Sequence, residues 1–267
     1  MYEAMATSKT PALIIYLLDV SGSMGEEMDA TVGRMRKIDV LPRVLKKAAK
    51  VMVRRATKGE TMSARYRVGM FAYSSKVEPV YKDDNGNCKI WPITDIGQVG
   101  VPKIFNLQDT TDTYSGFLAV KRLLEQEIPK LPSESPAPLV CHLTDGHFTT
   151  QDPSPIVNEI KQLRVNDGFV LLENIYISSR LQVSTTNAEE WSGFRASDNI
   201  GDEYGNRLLE MSSPLPGSYY KEIHPLYPNF SVDSKMMFPG VNEDFVSLAF
   251  VMSTSTKVDN KPSSLDR

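Results

Sequence analysis

Two cysteines and three histidines are all that this 267-residue chain carries of the residues that build disulfide frameworks, zinc sites and most general-base pairs. Cys88 lies in a polar, turn-rich stretch and Cys141 inside an apolar run, a layout that matches neither a disulfide scaffold nor a zinc motif; Cys141 reads as a small buried hydrophobe. No apolar run approaches the roughly 20 residues a membrane-crossing helix needs. The first ten residues are polar and acidic without the layout of a secretion signal, so the expectation is a cytoplasmic protein with no membrane partner. Charge of one sign is lacking as well: 30 basic against 33 acidic side chains leave a formal charge of -3, which gives no electrostatic case for nucleic acid. The basic clusters Arg34-Met35-Arg36-Lys37 and Arg43 to Arg55 read as solvated helix faces. Phosphate-binding loops, dinucleotide fingerprints and internal repeats are missing too.

What is present begins at Ala12. Ala12 to Leu18 is a short apolar run of the kind that forms a fully buried strand, and Asp19-Val20-Ser21-Gly22-Ser23 follows it directly. One carboxylate and two hydroxyls then crowd the point where the strand leaves its sheet, the edge at which open α/β sheets bind ligands. An Asx turn or helix cap is the alternative use of such a triplet.

Downstream, apolar strands alternate with helical patterns. Asp39 is placed to cap a helix carrying Leu41, Val44, Leu45, Ala48 and Met52 on one face, with Pro42 in its first turn. Val68 to Ser74 and Val77 to Tyr81 read as a hairpin, and residues 82 to 110 as loop with room for one short strand. A helix after Thr113 has Phe117, Val120, Leu124 and Ile128 on one face, and Leu139 to Thr144 is a second apolar strand that ends in Asp145. Ser154 and Pro155 open a short helix, and Phe169 to Ile177 is another strand. The fold class expected is α/β: a Rossmann-like, mostly parallel central sheet with one antiparallel edge strand and helices on both faces. A single elaborated domain over 11–252 is expected, with its core at 11–179 and long loops and C-terminal helices at 180–252. Segment 178–206 is placed to wall the strand ends, 214–239 reads as irregular, 1–10 as an extension and 253–267 as a mobile tail.

Asp19-x-Ser21-x-Ser23, then Thr111 from Thr-x-Thr, then Asp145 from Leu-Thr-Asp-Gly, occur in the order and settings of a known pattern. In these parts the chain resembles the von Willebrand factor A domain family with its metal-ion-dependent adhesion site, most of all stand-alone bacterial and phage-type members such as those encoded beside tellurite-resistance genes. The resemblance covers Pro11 to Ser179. It implies a divalent cation, Mg²⁺ or Mn²⁺, held directly by Ser21, Ser23 and variably Thr111, with Asp19 and Asp145 acting partly through water. It further implies an open coordination position filled by an Asp or Glu of a protein partner. Asp109-Thr110 stand where many members have Gly-Gly, so Asp109 or Asp112 brings a further carboxylate near the site or serves as a loop residue or helix cap.

Binding rather than catalysis is therefore expected. A serine-hydrolase elbow needs Gly-x-Ser-x-Gly, and Gly22 stands at the wrong offset from Ser23. Dehalogenase-type phosphatases need a second Asp where Ser21 stands. His142 reads as a packed strand residue, His147 as a loop residue with the metal as its alternative target, and His224 has no companion. The rival readings are a metal-dependent hydrolase and a structural assembly subunit with a vestigial site.

Overall fold

The computed structural model describes residues 1–27, 36–100, 110–178, 181 and 183–258. Among these, a seven-stranded sheet forms the centre of the molecule. Its strands are β1 (Ala12–Asp19), β2 (Tyr66–Tyr73), β3 (Val77–Pro79), β4 (Trp91–Pro92), β5 (Leu139–Thr144), β6 (Leu171–Tyr176) and β7 (Met237–Pro239). The order is β7-β6-β5-β1-β2-β3, and β4 also pairs with β2. Pairings from β7 through β2 are parallel, whereas β3 and β4 run antiparallel to β2. The antiparallel edge thus has two short strands where the sequence suggested one. β1 is buried along its whole length because parallel neighbours flank it and helices cover both faces, which is why it reads as an unbroken apolar run.

Helices α1 (Lys37–Ala56), α5 (Gly217–Ile223) and α6 (Glu243–Ser253) pack together on one face. On the other lie α2 (Thr113–Glu127), α3 (Ser154–Ile160) and α4 (Glu203–Met211). Strand alternation sorts the interior between the two layers. Tyr16, Cys141 and Glu173 are register neighbours on β1, β5 and β6, and Tyr16 meets Phe250 of α6. Leu17, His142 and Asn174, one position on, sit under α2 and α4. Gly116 lets α2 approach closely: a Cβ there would come within 3.1 Å of Tyr73 and 3.3 Å of Leu17.

Several sequence expectations change. α1 starts at Lys37, two residues before Asp39, so Pro42 falls in its second turn, and Asp39 pairs with Arg36 instead of capping. Ser154 is the first residue of α3, not its cap. The stretch 214–239, expected to be irregular, supplies α5 and the edge strand β7. Within 178–206, Trp191 is buried against Phe194, Phe230, Phe238 and Phe245, so this segment contributes to the core at the β7 edge as well as to the strand ends. Both ends of the described residues are tied in: the Glu3 and Ala4 amides donate to Asp167, Met5–Ala6 pairs with Lys257–Val258, and residues 253–256 are buried. Thus 253–258 is not a tail; 259–267 lies outside the described residues, as do Asp109, Arg34 and Met35.

Candidate metal centre

Asp19 is the last residue of β1 and has no exposed surface. Its Oδ1 accepts the Ser21 amide at 2.9 Å and its Oδ2 accepts the Thr144 hydroxyl at 2.7 Å, while the Tyr73 hydroxyl lies 3.3 Å from Oδ2. The first of these is the Asx turn that the sequence allowed. The helix-cap alternative is not realised, because Ser21 makes no side-chain cap to the 3-10 turn Gly22–Gly25. Instead the Ser21 and Ser23 hydroxyls lie 3.2 Å apart.

Asp145 follows β5, the neighbour of β1, and is only 1% exposed. Gly146 after it has φ +86, and a Cβ there would stand 2.7 Å from Tyr176, so the turn that carries Asp145 requires glycine. Two carboxylates thus face one buried space. Burial first, and the Asp145 charge second, push the Asp19 carboxyl up to about 7.

Thr111 is buried and set beside them by the backbone. Its amide donates to Thr149 Oγ1 at 2.9 Å and its carbonyl accepts the Thr149 amide at 3.0 Å, which ties it to the loop after Asp145. The Asp112 amide donates to the Ser74 carbonyl, and Ser74 follows Tyr73, the register partner of Asp19. Asp112 itself caps α2 through the Ser115 amide and accepts Thr150, which realises the helix-cap alternative for that residue. Asp19, Ser21, Ser23, Thr111 and Asp145 therefore share the carboxyl edge of the sheet.

Further residues at this edge were not singled out from sequence. Thr144 donates to Asp19 Oδ2 from β5, and the Tyr73 hydroxyl on β2 lies beside the same oxygen. Lys37, read as part of a solvated face, is buried: its Nζ lies 3.0 Å from Asp145 Oδ2 and 2.8 Å from Glu26 Oε2. Beneath Asp19 a polar chain crosses the sheet. The Tyr73 hydroxyl is 2.7 Å from His142 Nε2, His142 Nδ1 is 2.9 Å from Asn174 Oδ1, and Asn174 Nδ2 donates to the Ser212 hydroxyl and the Leu208 carbonyl. Those amide donations leave Asn174 Oδ1 to accept from Nδ1–H, so Nε2 accepts and the Tyr73 proton points to His142. Burial pushes His142 down to about 4, in keeping with a neutral ring. His147 stacks on Tyr204 at the rim, which brings α4 to the site.

No family model matches the chain, and no curated protein does. Solved structures do. Proximal thread matrix protein 1 from the mussel byssus gives a TM-score of 0.52 at 14% identity, over 91% of this chain and 47% of its own. A point mutant of the PilB minor pilin from Streptococcus sanguinis gives 0.51 at 10% identity, over 90% of this chain and 60% of its own. A von Willebrand factor type A protein from Catenulispora acidiphila gives 0.49 at 13%, over 91% and 43%. The chain shares the fold of the mussel protein and the pilin. It spans about half the length of the mussel protein, of which a further structure has a zinc occupied MIDAS motif (TM-score 0.47, 13% identity, 92% and 48% covered).

The side chains at this edge of the sheet fit a hard cation. They offer only oxygens, two of them buried carboxylates that repel each other, and hard divalent ions take such sets. Among the described residues, no group of three or more His, Cys, Asp or Glu side chains is placed to hold a metal. No helix among the described residues is long and apolar enough to cross a membrane.

Proposed function

We propose that the chain is a divalent-metal-dependent protein-binding module, with Ser21, Ser23 and Thr111 as direct ligands of Mg²⁺ or Mn²⁺ and Asp19 and Asp145 beside them. The observation that carries this reading is the pairing of buried Asp19 and Asp145 across adjacent strand ends with the Ser21 and Ser23 hydroxyls between strand and turn. When bound, the cation would supply an electrophilic position for an outside ligand, because neutral hydroxyls leave much of its charge uncompensated. An Asp or Glu of a partner protein meets that need, whereas Lys or Asn does not.

Binding is favoured over hydrolysis by the state of His142. Both ring nitrogens of this buried histidine are engaged, so it is not set as a base toward the Ser21–Ser23 space. Calorimetric titration of the purified protein with Mg²⁺ and Mn²⁺ tests the reading. Saturable one-site binding that disappears in Asp19→Ala is expected; unchanged binding in that variant, or none in the wild type, contradicts it. At the level of the partner, a complex that forms in Mg²⁺ and dissolves in chelator is expected.

A further inference from the structure

We infer that Lys37 is the resident cation of the metal site: its ammonium occupies Asp145 when no divalent ion is bound and must leave Asp145 for the ion to enter. This inference rests on the metal-binding reading above. Two features of Lys37 are unfavourable unless it has such a role. It is the first residue of α1, where the positive end of the helix dipole disfavours a cation, and its side chain is only 8% exposed. Both costs are offset by two ion pairs, and the buried one is the salt bridge to Asp145 Oδ2 at 3.0 Å. The carboxylate that the cation needs is thus already paired.

Glu26 gives the ammonium a second place to go. It lies 2.8 Å from the same Nζ, and its side chain is 67% exposed, so the pair Glu26–Lys37 reaches from the buried site to solvent. The backbone holds this geometry: the Lys37 amide donates to the Glu26 carbonyl, and Glu27 pairs with Arg36 in an antiparallel bridge. An ammonium has three donors and no acceptor, so it can neutralise Asp145 but can contribute nothing to a metal shell. Its presence beside a divalent ion is purely repulsive. Swinging to Glu26 relieves that repulsion without stripping Lys37 of a counter-charge. Metal affinity is then set by an exchange of cations, weaker than the oxygen set alone would give.

Lys37→Met, Lys37→Gln and Glu26→Gln would be compared with the wild type by Mn²⁺ titration, followed both calorimetrically and by loss of the free-ion electron paramagnetic resonance signal. Thermal melting in chelator checks folding. Both Lys37 variants are expected to bind Mn²⁺ at least tenfold more tightly than the wild type, and to show lower melting temperatures in chelator because Asp19 and Asp145 are left uncompensated. Glu26→Gln is expected to bind severalfold more weakly, since the ammonium then has Asp145 as its sole carboxylate in this cluster. Equal or weaker Mn²⁺ binding by folded Lys37→Met and Lys37→Gln, with the wild type binding, overturns the role of Lys37 and leaves the metal site standing. Absence of Mn²⁺ binding in every protein, the Lys37 variants included, overturns the metal site itself and this inference with it.

Discussion

The Tyr73 hydroxyl stands 2.7 Å from His142 Nε2 and 3.3 Å from Asp19 Oδ2, so one phenol on β2 joins the metal edge to a buried polar chain that ends on α4. The shorter bond takes the proton, and Thr144 is left as the hydroxyl that donates to Asp19 Oδ2 at 2.7 Å. A difference in the roles of the two hydroxyls follows. Thr144→Val removes a donor from a buried carboxylate and is expected to weaken Mg²⁺ binding at least tenfold. Tyr73→Phe leaves His142 Nε2 unpaired, at a cost of about 1–3 kcal/mol in stability, with Mg²⁺ affinity changed less than threefold. Urea denaturation and calorimetry on the two variants separate stability from affinity; a larger affinity loss in Tyr73→Phe than in Thr144→Val contradicts this assignment.

Asp19 is expected to destabilise the fold when no cation is bound. Its carboxyl is pushed from 3.8 to about 7 by burial and by Asp145, so above pH 7 the folded chain carries a charge it would rather not have. Asp19→Asn is expected to raise the melting temperature in chelator at pH 7.5 and to abolish the rise that Mg²⁺ gives the wild type. Scanning calorimetry with and without Mg²⁺ reads both; a lower melting point in chelator would show that Asp19 is a structural cap.

His142 predicts loss of stability in acid. The ring titrates ordinarily at 6.5 and in the fold at about 4, so between these pH values the unfolded chain holds the extra proton and stability falls as pH falls. A shift of this size corresponds to roughly 3 kcal/mol at full traverse. Urea denaturation from pH 7 to pH 4.5 should show this decline, and it should shrink in His142→Gln. Parallel profiles for the two proteins would contradict a neutral buried ring.

Glu173 acts in the other direction. It is fully buried on β6, neither carboxyl oxygen has a nitrogen or oxygen donor among the described residues, and its neighbour across the ladder is the Cys141 thiol, a weak donor. Burial holds its carboxyl well above the ordinary 4.5, so from that value upward the folded chain keeps a proton the unfolded chain has lost, and stability falls as pH rises. Glu173→Met, of similar length and without the charge, is expected to be more stable than the wild type at pH 8 by about 1–4 kcal/mol and much closer to it at pH 4.5. Equal differences at both pH values would show that the carboxyl loses its proton in the fold as readily as in the unfolded chain.

The sequence made the carboxyl edge legible because its parts are local: Asp19, Ser21 and Ser23 lie within one turn, and Asp145 directly follows an apolar strand. The parallel sheet was legible for the same reason, since β1 and β5 are buried on both faces and show it as largely apolar runs. β7 escaped notice because Met237-Phe238-Pro239 is three residues long, without β-branched side chains, and ends in a proline; only pairing with β6 makes it a strand. Tyr73 and Thr144 looked like ordinary strand residues, and their bearing on Asp19 depends on the register that places β2 and β5 on either side of β1. Lys37 was hidden by composition. In a cluster of basic residues nothing local marks the one whose partner, Asp145, stands 108 positions away.

The measurement that bears most directly on the account is the anomalous diffraction of crystals grown in MnCl₂. The account predicts one strong manganese peak at the carboxyl edge of β1, bonded to Ser21 Oγ and Ser23 Oγ at about 2.2 Å as hard-cation oxygen ligands require, with Thr111, Asp19 and Asp145 around it and the Lys37 ammonium moved away from Asp145. A lattice with no peak at this edge, with Lys37 still on Asp145 at saturating Mn²⁺, would contradict it.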